Sequence, residues 1–581
     1  MSIETAPLDT QTAGGAPPPR KPNLFGISAA NPDWKSLLPL CVIVLVGLVL
    51  RLWGIGWSLP DARHPLATYH PDELLNLGVA MSADLPHLKF DIRYYNYGAL
   101  YFYLVSFAQT FGRAYGLIPA PGSGMASQAH AMAALFLAGR LVTALLGTAT
   151  VGVLFALGSR LYSRSAGYAA ALLYALAPLA VVHAHFLTVD VPATFLVTLT
   201  LLFSARILER QTWSNYALAG VSAGLAAATK YNAGLVLIAP IVAHLLNRVP
   251  NACSRHRGAQ FVVLLCMAAI AFLVGCPGPI LDLDAFWDGI PEMPNSGMHY
   301  ELFVHSHTGH GALFIDTGAG WWYHLMVSLP AGLGLPLLLL ALAGLVYAGM
   351  RRTKGDWVLL AFFLLYYGTT GLSAVRFARY MIPLFPVLCL LGARIATETF
   401  PRAATQRLCR VGGVAVACLT ALTAVTLCMQ MARTDPRDAA ADALDARAPQ
   451  GASIAFATVP WFYSPPLSPY FGALAASRRR TPLESGRYRF LIPEQEWDPA
   501  VLSPPPDVVV LSNIETMHVL DRLHQVAPTR FFAAIPKDYL TLHFTPGFVF
   551  GLPLRADIVP EDLLYILPVV TLYTRPGALK P

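Results

Sequence analysis

The chain has 581 residues, 55% of them hydrophobic and only 13% charged, with a formal net charge of +7. Soluble domains carry about 25% charged residues, so an ordinary soluble globular protein, a disordered chain and a nucleic-acid binder are all excluded. The cations fall in short clusters between apolar runs, as in loops that flank membrane spans, and the eight cysteines lie within or beside apolar segments, so no disulfide framework is indicated.

Residues 1–36 are polar and rich in Ala, Gly and Pro, and read as a disordered cytoplasmic lead. A span needs about 20 mostly apolar residues. Candidates are 37–55, 98–117, 128–159, 166–186, 190–207, 216–247, 260–276, 320–349, 356–374, 380–397 and 409–431. The runs 128–159 and 216–247 are too long for one comfortable crossing, and have candidate breaks near Gly147 and at Thr229-Lys230-Tyr231-Asn232. Basic clusters lie at Arg160/Arg164, Arg206/Arg210, Arg248/Arg255/Arg257, Arg351/Arg352/Lys354 and Arg402/Arg407/Arg410. The positive-inside rule places all five in the cytoplasm only if both long runs are hairpins. Thirteen spans result, with large outside loops at 56–97 and 277–318 and the segment 432–581 outside. That last segment has strand-like runs at Ser453–Ala457, Val508–Leu511 and Val569–Tyr573 and a helix-like stretch at 436–447, which read as a small α/β domain. The fold expected is an all-α polytopic membrane domain over 37–431, with about 11–13 transmembrane helices and a C-terminal soluble α/β domain.

Ionisable groups at membrane depth are costly and mark function. With this topology they gather on the outer face: His70-Pro71-Asp72-Glu73, Tyr97, His183, His185, Asp190, Lys230, Tyr231, Asn232, Arg376, Arg379, Tyr380, His307 and His310. Each has a plainer reading beside the functional one. Asp72-Glu73 can start a helix, His183 and His185 can be held by nearby carbonyls, and Asp190 can cap a span. His305-X-His307-X2-His310 has a spacing that a divalent metal could use, but nothing else supports a metal site, and sugar or phosphate contacts suit these histidines better. No glycine-rich phosphate loop or nucleotide fingerprint is present. An outward site of carboxylates and cations in apolar surroundings suits group transfer from a lipid-linked phosphate. Asp72 would take the acceptor proton, with Glu73 beside it, while Lys230 and the arginines stabilise the departing phosphate.

These residues also occur in a familiar order. His70–Glu73, Asn96-Tyr97-Gly98-Ala99-Leu100-Tyr101, Gly139-Arg140-Leu141, Ala177-Pro178 through His183 to Asp190, Gly224–Asn232 and Arg379–Pro386 together resemble the GT-C glycosyltransferases of the family 39 type. That family includes protein O-mannosyltransferases and bacterial aminoarabinose transferases. In place of the charged pair found in the latter, this chain has Tyr95-Asn96. The resemblance implies a multi-pass enzyme of the plasma membrane that uses a polyprenyl-phosphate sugar with inversion, on a protein, lipid or glycan acceptor. It puts Asp72 at the catalytic centre, with Asp190 as a second acidic position. The competing reading is a non-enzymatic flippase or transporter of lipid-linked sugars, with the same groups forming a binding path.

Overall fold

The computed structural model describes residues 34–247, 254–469, 471, 486–522, 525–552 and 559–580. The lead at 1–33 and the basic cluster residue Arg248 lie outside them. Fifteen helices frame the membrane part and its junction with the tail. They are α1 (Trp34–Leu52), α2 (Glu73–Ser82), α3 (Leu100–Ala114), α4 (Met125–Leu161), α5 (Arg164–Leu176), α6 (Pro178–Val182), α7 (Asp190–Glu209), α8 (Trp213–Thr229), α9 (Ile238–Leu246), α10 (Ser254–Gly275), α11 (Leu335–Arg351), α12 (Lys354–Thr370), α13 (Phe385–Thr397), α14 (Ala403–Met431) and α15 (Pro436–Arg447). Among the described residues five helical segments are long and apolar enough to cross a bilayer, or seven if two bent pairs each count as one span.

The hairpin expected in 128–159 does not form. α4 is one helix of 37 residues, about 55 Å long at 1.5 Å per residue. Gly147 is there for packing: a Cβ would come within 2.9 Å of Val191 and 3.0 Å of Arg51, so its bare surface admits α7 and α1. α3, with 15 residues, runs back along the first half of α4, where Tyr101 bonds Thr143 at 2.7 Å and Gln109 reaches the Leu135 carbonyl at 3.4 Å. It is too short to span about 30 Å of hydrocarbon.

The second expected hairpin does form. α8 stops at Thr229, Lys230 is extended, and the turn Tyr231–Leu237 leads into α9. Asn247 then returns to the start of α8, donating to the carbonyls of Ile207 (2.8 Å) and Leu208 (3.2 Å) and accepting from Gln211 (2.6 Å). Further ties gather the basic helix ends at the same level: Arg160 pairs with Glu209 at 2.7 Å, and both Tyr162 and Arg394 bind Asp356. From Arg140 to Arg160 on α4 is about 30 Å, one hydrocarbon thickness. At the far end from the basic clusters lie the first large loop and the tail.

α8 and α10 touch backbone to backbone. A Cβ on Gly220 or Gly224, one turn apart on α8, would meet the Leu264 or Ala268 carbonyl at 2.3 or 2.1 Å. Small residues at this spacing let membrane helices pack closely when water supplies no driving force between them.

The tail holds a five-stranded sheet of β1 (Ala452–Phe456), β2 (Tyr488–Leu491), β3 (Val508–Ser512), β4 (Leu540–Phe544) and β5 (Val570–Thr574), in the order β2-β1-β3-β5-β4. The first three are parallel, and β5 runs antiparallel to β3 and β4. α15 packs its Ala440 and Leu444 on one face of the sheet. β1, β3 and β5 lie within a residue of the apolar runs seen in the sequence. Arg437 binds this unit to the loop at 56–97. It pairs with Asp435 (2.7 and 2.8 Å), donates to the carbonyls of Phe462 (2.7 Å) and Tyr565 (2.6 Å), and lies 3.9 Å over the Tyr69 ring. The Trp57 indole completes the junction with a 3.1 Å bond to Asp435.

Candidate active site

The tail and the membrane helices enclose a chamber of about 750 Å³, with a second of about 450 Å³ beside it. Asn96, Tyr97, Glu301 and His305 line both. The larger chamber is walled by His70, Asp72, His310 and Arg379 from the membrane part, and by Trp461, Phe462, Tyr463 and Tyr565 from the tail. The smaller contains Lys230, Tyr231, Asn232 and Tyr380.

The neighbouring acids Asp72 and Glu73 have opposite fates. Glu73 opens α2 and is fully buried, with Arg140 as a two-point partner at 2.9 and 2.6 Å. Thr68 donates to it at 2.7 Å and the Leu187 N–H at 2.8 Å. Burial alone would raise its carboxyl, but Arg140 outweighs that and holds it below the usual value. With four donors on its two oxygens, Glu73 has no capacity left for a substrate. Its geometry is that of a structural anchor.

Asp72 turns into the large chamber with 32% of its side chain exposed, and one oxygen lies 3.1 Å from Arg379. Here burial pulls upward most strongly, but Arg379 and then His70, His310 and His183 together outweigh it, so the carboxyl is held below its ordinary value. It is therefore ionised at neutral pH and able to accept a proton. His70 Nδ1 accepts the Asp72 backbone N–H at 3.2 Å, which fixes the loop. Burial keeps the His70 ring below its ordinary basicity.

The cations are also committed. Lys230 lies 2.6 Å from Asp190, both nearly buried, and its ammonium is 4.3 Å from the centre of the Tyr380 ring. The acid expected as a second site residue is thus the lysine's counter-ion, and Lys230 faces the small chamber from that pair. Arg379 holds Asp72 on one side and Asp562 of the tail, at 2.8 Å, on the other. Both terminal nitrogens of its guanidinium thus lie against carboxylates. Arg376 lines neither chamber and instead binds Thr317.

Tyr231 braces the chamber wall by donating to the carbonyls of Tyr95 (2.8 Å) and Tyr97 (3.2 Å), and Asn232 donates to Tyr366 at 3.2 Å. His183 is buried, 3.7 Å from Asp562. His185 lies outside both chambers, its two nitrogens against the carbonyls of Val181 (2.8 Å) and Trp53 (3.1 Å). His307 is turned to Ser306 and lines neither chamber, whereas His310 faces the large one and lies 3.2 Å from His305. Among the described residues no three His, Cys, Asp or Glu side chains converge as a metal-ligand set.

Sequence reasoning missed the tail, where Tyr565 lines the large chamber and Asp562 lies buried behind Arg379. Asp562 follows Pro560-Glu561 at the start of a one-turn helix, with no neighbouring feature to single it out. Its contact with Arg379 spans 183 residues.

Residues 129–274, which carry Arg140, His183, Asp190 and Lys230, match the family model for dolichyl-phosphate-mannose-protein mannosyltransferases. That match covers about a quarter of the chain. No curated protein matches significantly. Solved structures similar to this chain include ArnT from Cupriavidus metallidurans bound to undecaprenyl phosphate, at 18% identity and a TM-score of 0.47 over 70% of this chain and 72% of that one. The apo oligosaccharyltransferase of Archaeoglobus fulgidus matches at 14% identity and a TM-score of 0.47, over 92% of this chain and 77% of that one. The mycobacterial arabinofuranosyltransferase AftD matches at 15% identity and a TM-score of 0.42, over 94% of this chain and 40% of that one.

Proposed function

We propose that this protein is an inverting glycosyltransferase that moves a sugar from a polyprenyl-phosphate carrier to an acceptor hydroxyl at the outer face of the plasma membrane. One observation carries the reading: a partly exposed, ionised Asp72 on the wall of the large chamber, beside a smaller chamber that contains Lys230. The acceptor enters the large chamber and gives its hydroxyl proton to Asp72. Its oxygen attacks the anomeric carbon from the face opposite the phosphate, so a C–O bond forms as the sugar–phosphate bond breaks and the configuration inverts. Lys230 then faces the departing phosphate oxygens, where a preorganised cation in a dry site counts for most. Asp190 and the Tyr380 ring hold that ammonium in place before the donor arrives.

The basic helix ends at the other side of the bundle support the orientation, since the positive-inside rule puts them in the cytoplasm. A carrier that passed lipid-linked sugars through both leaflets would need polar groups along that path. At the basic end, Arg160 is instead paired with Glu209 and the buried Arg394 with Asp356. The test is purified protein in detergent with polyprenyl-phosphate sugars and candidate acceptors. Acceptor-dependent release of polyprenyl phosphate is expected, and Asp72→Asn should lower it by about 10²- to 10⁴-fold while the protein remains monodisperse. Turnover in Asp72→Asn equal to wild type would remove Asp72 as the base.

A further inference from the structure

We infer that Asp562, on the tail, is a positioning residue of the transfer reaction: by sharing Arg379 with Asp72 it keeps Asp72 aimed and basic. The inference rests on the glycosyl-transfer reading of the site. It starts from a chain of contacts. Asp562 is fully buried; one oxygen takes the Ala378 N–H at 2.6 Å and the other the Arg379 guanidinium at 2.8 Å. A different nitrogen of the same guanidinium lies 3.1 Å from Asp72. The Phe377 ring stacks 4.0 Å from the guanidinium carbon, which limits its swing. Arg379 thus forks between two carboxylates, one sealed and one open to the chamber.

The fork has a chemical consequence. A guanidinium given wholly to Asp72 would neutralise it and weaken it as a base, because an opposite charge at hydrogen-bond distance favours the ionised form. Division between two acids leaves Asp72 part of its basicity, while the fixed geometry points its free oxygen into the chamber. Asp562 touches no part of the chamber where substrate would sit, so it acts through Arg379. The other charged or titratable groups facing Asp72 are His70 beside it, His183 from the turn after α6, His310 from the second large loop, and the phenols of Tyr94, Tyr97, Tyr380 and Tyr565. None of these contacts Arg379 as Asp562 does.

The experiment is a pH profile of kcat and of donor KM for wild type, Asp562→Asn and Asp562→Glu. Asp562→Asn keeps an oxygen for the Ala378 N–H but releases the guanidinium to Asp72. The acid limb of the kcat profile should then move to lower pH by about half a unit or more, with kcat down about tenfold and donor KM within about twofold. Asp562→Glu restores the second charge and should return the acid limb to its wild-type position even if kcat stays low. An unmoved acid limb in a folded Asp562→Asn protein overturns the inference. If Asp562→Asn does not fold, a displaced acid limb in Asp562→Glu overturns it equally. Absence of carrier release by the wild type would instead refute the underlying glycosyl-transfer reading.

Discussion

Replacing Arg140 with methionine keeps an unbranched stem in α4 but deletes the guanidinium that meets Glu73. The change strands a carboxylate that the structure seals completely, and removes the donor to the carbonyls of Ile55 and Trp57 at 2.8 and 2.7 Å. Removing one partner of a buried ion pair costs about 3–5 kcal/mol, and each orphaned carbonyl adds about 1 kcal/mol. Glu73→Gln strands Arg140 in the same way, although its amide keeps the shape of the side chain. Combining the two changes leaves no buried net charge, so the double variant should be more stable than the summed losses by about 2 kcal/mol. Thermal unfolding in a single detergent, followed by tryptophan fluorescence and light scattering, reads all three. A Glu73→Gln protein that melts like wild type yet has lost turnover would refute the anchoring role and return Glu73 to the chemistry.

Burial lifts the Glu515 carboxyl in the tail to about 7. The folded form then holds a proton that the unfolded chain gives up near pH 4.5, so tail stability falls as pH rises from about 4.5 through about 7. Glu515→Gln should flatten this part of a Tm-against-pH curve, and an unchanged slope would contradict it. Gly224→Val should force α8 away from α10, giving a lower Tm and poor recovery from detergent extraction; normal yield and Tm would count against backbone contact there. Arg437→Ala should cost about 3–5 kcal/mol, since it breaks the junction between Asp435, the tail carbonyls and Tyr69, and limited proteolysis should then cut the tail first. Proteolysis equal to wild type would show that the junction holds without it.

Much of the site was legible because its residues are short-range neighbours or rare in their setting. His70–Glu73 stands out as a charged run beside apolar spans, and Lys230 as a cation at a helix break. What local reading could not supply was partnership. Which of Asp72 and Glu73 faces substrate depends on Arg140, which lies 67 residues from Glu73. That Asp190 belongs to Lys230 depends on α7 and α8 lying side by side. Gly147 looked like a break because glycine is a poor helix former. In the fold it is a notch for Val191 and Arg51, and tertiary packing overrides the local preference. Asp562 carried no local sign at all, since only closure of the tail onto Arg379 gives it meaning.

The fork on Arg379 also sets an order of events during synthesis. The membrane helices are complete at Met431, whereas Asp562 lies roughly 130 residues further along the chain. A nascent chain can therefore insert every helix, and place Asp72 and Lys230, before the second carboxylate exists. Until the sheet has folded and brought Asp562 to Arg379, Asp72 faces a guanidinium that no second carboxylate shares. On the proposed reading, activity would mature with folding of the tail, not with membrane insertion.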